Sequence, residues 1–347
     1  MSNGHRGGAT APLDHCPRVV RQISRCGLEQ RTRPVIFFAE ILLRATMSPP
    51  REIELKFEVP IESLPDLNRG PLLKRARSSR QKPASLVSVY FDTKKLKLRR
   101  KALSLRIRRK GRRVVQTVKQ ETGPATFVRS EWEHDIGSPQ PDLDLAGDTP
   151  LGQLSSKKLR RSLMPVFETR VRRKTFQLHC GESEIELSVD KGEIAAGRKA
   201  VPICEVELEL KRGQRDDLFK LAKTLADDVP AQLAIVSKAE RGYELLTGEK
   251  PQPIKALQIA LEPEANVQSA FQIVAWACIH QLIANQPIMR SGDPDGLHQM
   301  RVALRRLRAA ISLFSDMLAD TQTEAVKSEL KWIAGELGPA RELDVFS

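Results

Sequence analysis

The feature that most constrains this chain is a charge pattern that recurs along strand-like segments. In REIELKFEVP, residues 51–60, Ile53, Leu55 and Phe57 share one face of an extended backbone, and Glu52, Glu54 and Lys56 share the other, because side chains alternate along a strand. In LSLRIR, Leu103, Leu105 and Ile107 oppose Ser104, Arg106 and Arg108. In EIELSVD, Ile185, Leu187 and Val189 oppose Glu184, Glu186 and Asp190, and in CEVELELK, Val206, Leu208 and Leu210 oppose Glu205, Glu207 and Glu209. In RSEWEHD, Glu131 and Glu133 lie with Arg129, opposite Trp132. In VFETRVRRK, Glu168, Arg170, Arg172 and Lys174 alternate with Phe167, Thr169, Val171 and Arg173. Taken singly, each is a half-buried antiparallel strand with a wet face.

As a set they say more. The charges are nearly unbroken, and their signs segregate. Residues 94–119 hold thirteen Lys or Arg and no acid, whereas the polar face of 203–211 is acidic. Like charge so concentrated repels itself unless opposite charge faces it. Two walls of opposite sign, with a metal ion and a polyanion between them, would resolve both. Carboxylates suit Mg²⁺ or Mn²⁺, and guanidinium forks and ammoniums suit phosphate oxygens. The net charge of +14 over 347 residues points the same way, to an anionic partner. An aromatic content of 5% is thin for nucleic-acid stacking platforms, so nucleic acid is a weak expectation.

Strand patterns run from 51 to about 245, over 51–59, 86–91, 103–109, 113–120, 127–135, 166–178, 184–190 and 203–211. Helical stretches stand at 61–76, 150–163, 215–227 and 238–247. This predicts an α+β fold: an eight-stranded antiparallel sheet or closed barrel with flanking helices. At GEKPQPIKA the pattern changes to helices at 266–286, 296–317 and 321–337. The expected organisation is therefore 47–247 as the barrel, 248–263 as a linker and 264–347 as a partial helical domain. Residues 1–46, with seven Arg and no Lys, read as a disordered or spurious extension ahead of a start at Met47. The five cysteines are scattered without a CxxC, which favours a reducing cytoplasm. No stretch approaches the roughly 20 apolar residues of a membrane helix.

The motifs resemble those of the CYTH superfamily, the triphosphate tunnel metalloenzymes. Glu52-x-Glu54-x-Lys56 resembles the ExExK signature, followed in order by YFDT at 90–93, LRIR at 105–108, TVK at 117–119, SEWE at 130–133, TRVRR at 169–173, SVDKGEI at 188–194, CEVELELK at 204–211 and SKAERGY at 237–243. The resemblance implies a tunnel whose charged strand faces point inward. It implies metal or metal-water ligands at Glu52, Glu54, Glu131, Glu133, Asp190, Glu205 and Glu207. Triphosphate would be held by Lys56, Arg106, Arg108, Lys119, Arg170, Arg172 and Lys238, with Glu52, Glu54 and Lys56 central to catalysis. HQMRVALRRLRAAISLF, 298–314, and GPARELDVF, 338–346, resemble a CHAD domain, a helical module associated with polyphosphate. His298, Arg301, Arg305 and Arg308 step by three, four and three, which places them on one helical face opposite Met300, Leu304, Leu307, Ile311 and Phe314.

The expected activity is metal-dependent hydrolysis of inorganic triphosphate to phosphate and diphosphate. Class IV adenylate cyclase, thiamine triphosphatase, a non-catalytic polyphosphate-binding protein and a nucleic-acid binder are the alternatives. No Ser-His or Cys-His pairing has a catalytic context, since His134 and His179 sit near strand ends, and a GxxxxGK[ST] loop is absent from the sequence.

Overall fold

A computed structural model describes residues 53–76, 81–120, 130–261, 263–318 and 321–337. Glu52, the 1–46 extension with its Met47 start, residues 127–129 and the GPARELDVF segment lie outside the described residues.

Among the described residues, nine strands form one antiparallel sheet: β1 (Ile53–Glu58), β2 (Ala84–Thr93), β3 (Leu103–Lys110), β4 (Arg113–Gln120), β5 (Ser130–Asp135), β6 (Leu163–Cys180), β7 (Ser183–Ala196), β8 (Lys199–Arg212) and β9 (Gln232–Leu233). Their order is β5-β4-β3-β2-β6-β7-β8-β1-β9. The eight expected strands are all present, and the two-residue β9 adds an edge beside β1. The ladder does not close by pairing β5 with β9 among the described residues. It curls nonetheless, because side chains from β1 to β8 line one cavity. β6, β7 and β8 are joined by tight turns at Gly181 and Gly197, with φ of +58° and +60°, a left-handed conformation that glycine adopts without strain.

Register puts the alternating faces to use. Glu54 opposes Glu209, Lys56 opposes Glu207 and Glu58 opposes Glu205 across β1 and β8. Asp190 opposes Glu205 and Ser188 opposes Glu207 across β7 and β8. All of these turn inward. Leu55, Phe57, Leu187 and Leu208 turn outward into a core covered by α1 (Leu64–Arg69), α2 (Pro71–Arg75) and α4 (Arg215–Asp228). Leu105, Ile107 and Val118 turn outward into a second core, with Leu143, Leu151 and Leu159, the last of these on α3 (Lys157–Ser162).

A third apolar cluster stands on the inner face, at one end of the curl. Tyr90, Phe167, Val171, Ile194 and Ile203 pack there against Ala239 and Tyr243 of α5 (Lys238–Thr247). This helix plugs that end. Ser237 caps its start by accepting the Glu240 N–H at 3.1 Å.

The C-terminal helices are α6 (Val267–Ala284), α7 (Gln286–Arg290), α8 (Pro294–Leu313) and α9 (Thr321–Glu336). The expected apolar face of α8 is buried at Met300, Leu304, Leu307 and Ile311, and Phe314 meets Phe271 at 5.3 Å between ring centroids. One expectation needs correcting. The stretch Val267–Arg290, of 24 residues with an 18-residue window of mean hydropathy 1.3, is long and apolar enough to cross a membrane by length and composition. Half of its most apolar window is buried inside this protein. The sequence reading missed it because Gln268, Gln272, His280 and Gln281 interrupt the apolar run without carrying full charge.

Candidate active site

The cavity inside the sheet holds about 540 Å³. Of the residues singled out from sequence, Glu54, Lys56, Arg106, Arg108, Lys119, Glu131, Glu133, Glu207 and Lys238 line it. Asp190 and Glu205 stand behind that surface, 1% and 0% exposed, and reach it through the cations that bind them. The two walls are unlike. Glu54, Glu186, Glu207 and Glu209 come from the neighbouring strands β1, β7 and β8, and Arg106, Arg108 and Lys119 from β3 and β4. These strand groups lie apart along the ladder, so the curl sets the two walls across one enclosure, and Glu131 and Glu133 of β5 add carboxylates beside the basic wall.

The basic wall is under-compensated. Arg106 is 6% exposed. Its Nη2 donates to Thr117 Oγ1 at 3.0 Å and lies 3.4 Å from both Glu131 and Glu133, while its buried Nε has no acceptor. Arg108 donates from Nε to Ser88 Oγ at 3.1 Å and has no carboxylate ion-pair partner among the described residues. Burial and the neighbouring Arg106 pull its pKa down to about 10. Burial works against the Glu131 carboxylate, but Lys119, with which it ion-pairs, and Arg106 hold it below the ordinary range.

The acidic wall has the converse imbalance. Glu54 keeps surface open to the cavity, yet the protein around it desolvates the carboxyl and Glu207 repels its charge, which together raise its pKa. Glu207 moves the other way: burial opposes its charge, but Lys238 and Arg173 outweigh burial and hold it well below the usual carboxylate range. Lys56 donates from Nζ to the Val236 carbonyl at 2.7 Å.

Two expected triphosphate ligands are corrected. Arg170 and Arg172 turn to the outer face of β6 and are exposed. Arg170 pairs there with Glu168 and with Glu193 at 3.1 Å. The inward cation of this strand is Arg173, which forks Asp190 at 2.7 Å through both Nε and Nη2 and reaches Glu207 at 2.5 Å. The reason is parity. Thr169 opposes Ser88, and Ser88 shares the inner face with Tyr90 and Arg108. Odd-numbered positions of β6 therefore face in, and the run of four cations at 170–174, broken by Val171, hides that period from a reader of the sequence.

Two further residues were not foreseen. Arg241 of α5 lies 3.0 Å from Glu205 and 3.3 Å from Glu58, and donates to the Pro202 carbonyl at 2.9 Å. Asp92, fully buried, accepts from the backbone N–H groups of Thr93, Leu98 and Arg99 and from the Tyr243 hydroxyl at 3.0 Å. It thereby ties the YFDT and SKAERGY segments together and seats the plug helix.

The chemistry of the acidic wall suits a hard divalent cation. Asp190, Glu205 and Glu207 each offer an oxygen within 4.8 Å of the others, and the raised Glu54 marks a carboxylate pair that a cation would relieve. On α8, His298, Arg301, Arg305 and Arg308 line a separate cavity of about 650 Å³, and Arg301 also donates to the Leu337 carbonyl.

Comparison with known proteins agrees with this architecture. A model of the CYTH domain matches residues 50–243, and a model of the CHAD domain matches residues 273–347. An inorganic triphosphatase of Haemophilus influenzae is 31% identical over 164 residues, 46% of this chain and 46% of that protein. The aligned stretch thus spans about half the length of that relative. Among solved structures, a Hippeastrum protein described as having a dominant triphosphatase activity is 19% identical, with a TM-score of 0.39 over 56% of this chain and 95% of its own. The PH1819 protein of Pyrococcus horikoshii is also 19% identical, with a TM-score of 0.35 over 56% of this chain and 98% of its own.

Proposed function

This chain belongs to the CYTH family, and from that premise and the cavity's geometry we propose that it hydrolyses inorganic triphosphate to phosphate and diphosphate with the help of Mg²⁺ or Mn²⁺. The observation that carries the reading is the basic wall. Among the described residues, a buried guanidinium nitrogen of Arg106 has no acceptor, and Arg108 beside it has no carboxylate ion-pair partner. Buried donors are costly to leave unmade, and a phosphate chain supplies oxygens of the right charge to both.

Phosphoryl transfer needs positioning and charge neutralisation more than covalent chemistry. Arg106, Arg108 and Lys119 would hold the phosphates that do not transfer. Lys56, fixed by the Val236 carbonyl, and Arg173 would flank the chain from the acidic side. Asp190, Glu205 and Glu207, with Glu54 beside them and Glu52 as the family motif implies, would hold the divalent ion. When bound, that ion neutralises phosphate oxygens and lowers the pKa of a bound water. The inorganic triphosphatase named among the relatives favours this substrate over ATP or thiamine triphosphate. The cation row on α8 favours polyphosphate binding by the helical region, and the scattered cysteines favour a cytoplasmic location.

Phosphate release from tripolyphosphate, ATP, thiamine triphosphate and long polyphosphate, with Mg²⁺ and with Mn²⁺, tests the reading. Tripolyphosphate should be the preferred substrate, and Glu54→Gln should lower its turnover by about 100-fold or more with an unchanged circular dichroism spectrum. Wild-type turnover in Glu54→Gln, or cyclic AMP as the product from ATP, would overturn it.

A further inference from the structure

Lys238 stands where a divalent cation would sit. Its ammonium lies 3.0 Å from Asp190 Oδ2, 2.5 Å from Glu205 Oε2 and 2.8 Å from Glu207 Oε1. These are the same three carboxylates whose oxygens cluster within 4.8 Å. Two more cations complete the balance: Arg173 on Asp190 and Glu207, and Arg241 on Glu205. Two buried carboxylates and the partly exposed Glu207 thus meet three cations, one of which, Arg241, also pairs with Glu58. A hard divalent ion needs the same oxygen lone pairs, and it cannot share their centre with an ammonium, because two cations at contact distance repel strongly in a partly buried site.

The three cations are not equally able to leave. Arg241 is fixed by three acceptors, Glu58, Glu205 and the Pro202 carbonyl, and does not line the cavity. Arg173 is held by a two-pronged fork on Asp190. Lys238 is a point charge on a flexible stem with rotatable donors, it lines the cavity, and its backbone is anchored at the capped start of α5. It can swing toward the lumen without moving the helix.

We infer that Lys238 is an internal counter-ion: it occupies the acidic trio until a phosphate chain draws its ammonium away, so the protein takes up its divalent ion together with the polyanion and not before it. The inference rests on reading the cavity as a metal-assisted phosphate site, and it adds an order of binding that the reading alone does not contain.

The test is Mn²⁺ binding to the full chain, read from the loss of the free-ion electron paramagnetic resonance signal, with no substrate present. Wild type should bind Mn²⁺ weakly. Lys238→Gln, which removes the charge, should bind it about tenfold tighter or more, and Lys238→Arg, which keeps a cation, should behave like wild type. Circular dichroism checks that each variant is folded. A second measurement needs no variant: imidotriphosphate should tighten Mn²⁺ binding to wild type beyond the affinity of Mn²⁺ for the analogue in protein-free solution. Equal Mn²⁺ affinity in wild type and folded Lys238→Gln would overturn the inference, as would wild-type binding that imidotriphosphate leaves unchanged. If instead wild type released no phosphate from any substrate, the hydrolase reading would fall while the Mn²⁺ comparison kept its meaning.

Discussion

Arg170 and Arg173 lie on the same strand, three positions apart, and do opposite work. Arg170 is a solvated cation whose partners Glu168 and Glu193 are themselves partly exposed. Such pairs contribute about 0 to 1 kcal/mol. Arg173 forks a carboxylate that is 1% exposed and shares Glu207 with Lys238. Removing it leaves Asp190 underpaired inside the protein, which costs about 3 kcal/mol or more. Arg173→Ala should therefore lower the midpoint of urea unfolding clearly and raise KM for tripolyphosphate. Arg170→Ala should leave both within the scatter of repeated wild-type measurements. Equal effects from the two variants, in either direction, would show that the face assignment of β6 is wrong.

At the scale of elements, the plug helix α5 is what orders the acidic wall. It carries Lys238, Arg241 and Tyr243, and one glycine lets it approach the sheet closely. A Cβ at Gly242 would stand 2.1 Å from Cε2 of Phe167, a ring that is itself stacked on Tyr90 at 4.6 Å and met edge-on by Tyr243 at 5.0 Å. The ring has no room to retreat, so the helix must. Gly242→Ala should destabilise the protein by about 1 to 3 kcal/mol, the usual cost of overpacking. It should also weaken substrate binding, because Lys238 and Arg241 move with the helix. Phe167→Leu in the same chain should recover part of both losses, and a double-mutant cycle with no coupling would refute the contact. Little of this was legible in the sequence. The period-2 strands β1, β3, β7 and β8 could be read with their faces, because apolar and charged residues alternate cleanly there. β6 could not, since cations fall on both of its faces. Asp92 and Tyr243 meet across 151 positions, and no local period encodes such a pairing. β9, at two residues, is too short to carry a pattern at all.

At the scale of the whole molecule, the sequence suggests two units joined by a proline-rich linker, but the packing joins them more firmly than that. One apolar cluster runs from Phe57 and Leu208 on the sheet, through Phe219 and Leu233, to Phe271, Leu282, Met300 and Leu330 of the C-terminal helices. The linker is pinned as well. Asn285, fully buried between α6 and α7, accepts the Ile254 N–H at 2.9 Å and donates to the Ile254 carbonyl at 2.9 Å, a ladder-like pair made by a side chain. Its amide also donates to the Gln281 carbonyl at 2.7 Å, and Arg290 donates to Gln232 on the edge strand β9. A shared core should unfold as one. Wild type is therefore expected to melt in a single transition when followed by both circular dichroism and tryptophan fluorescence. Asn285→Ala leaves the part-buried backbone pair at Ile254 unmade and should cost about 1 to 3 kcal/mol. It should also open 249–261 to limited proteolysis, because a released segment exposes its backbone. Asn285→Asp keeps the acceptor for the Ile254 N–H but sets a buried carboxyl against the Ile254 and Gln281 carbonyls, so it should be cut at least as fast as Asn285→Ala. If wild type melts in two separate transitions, and Asn285→Ala is cut no faster than wild type, then the helices ride on the barrel as an independent body and the continuous core does not couple them.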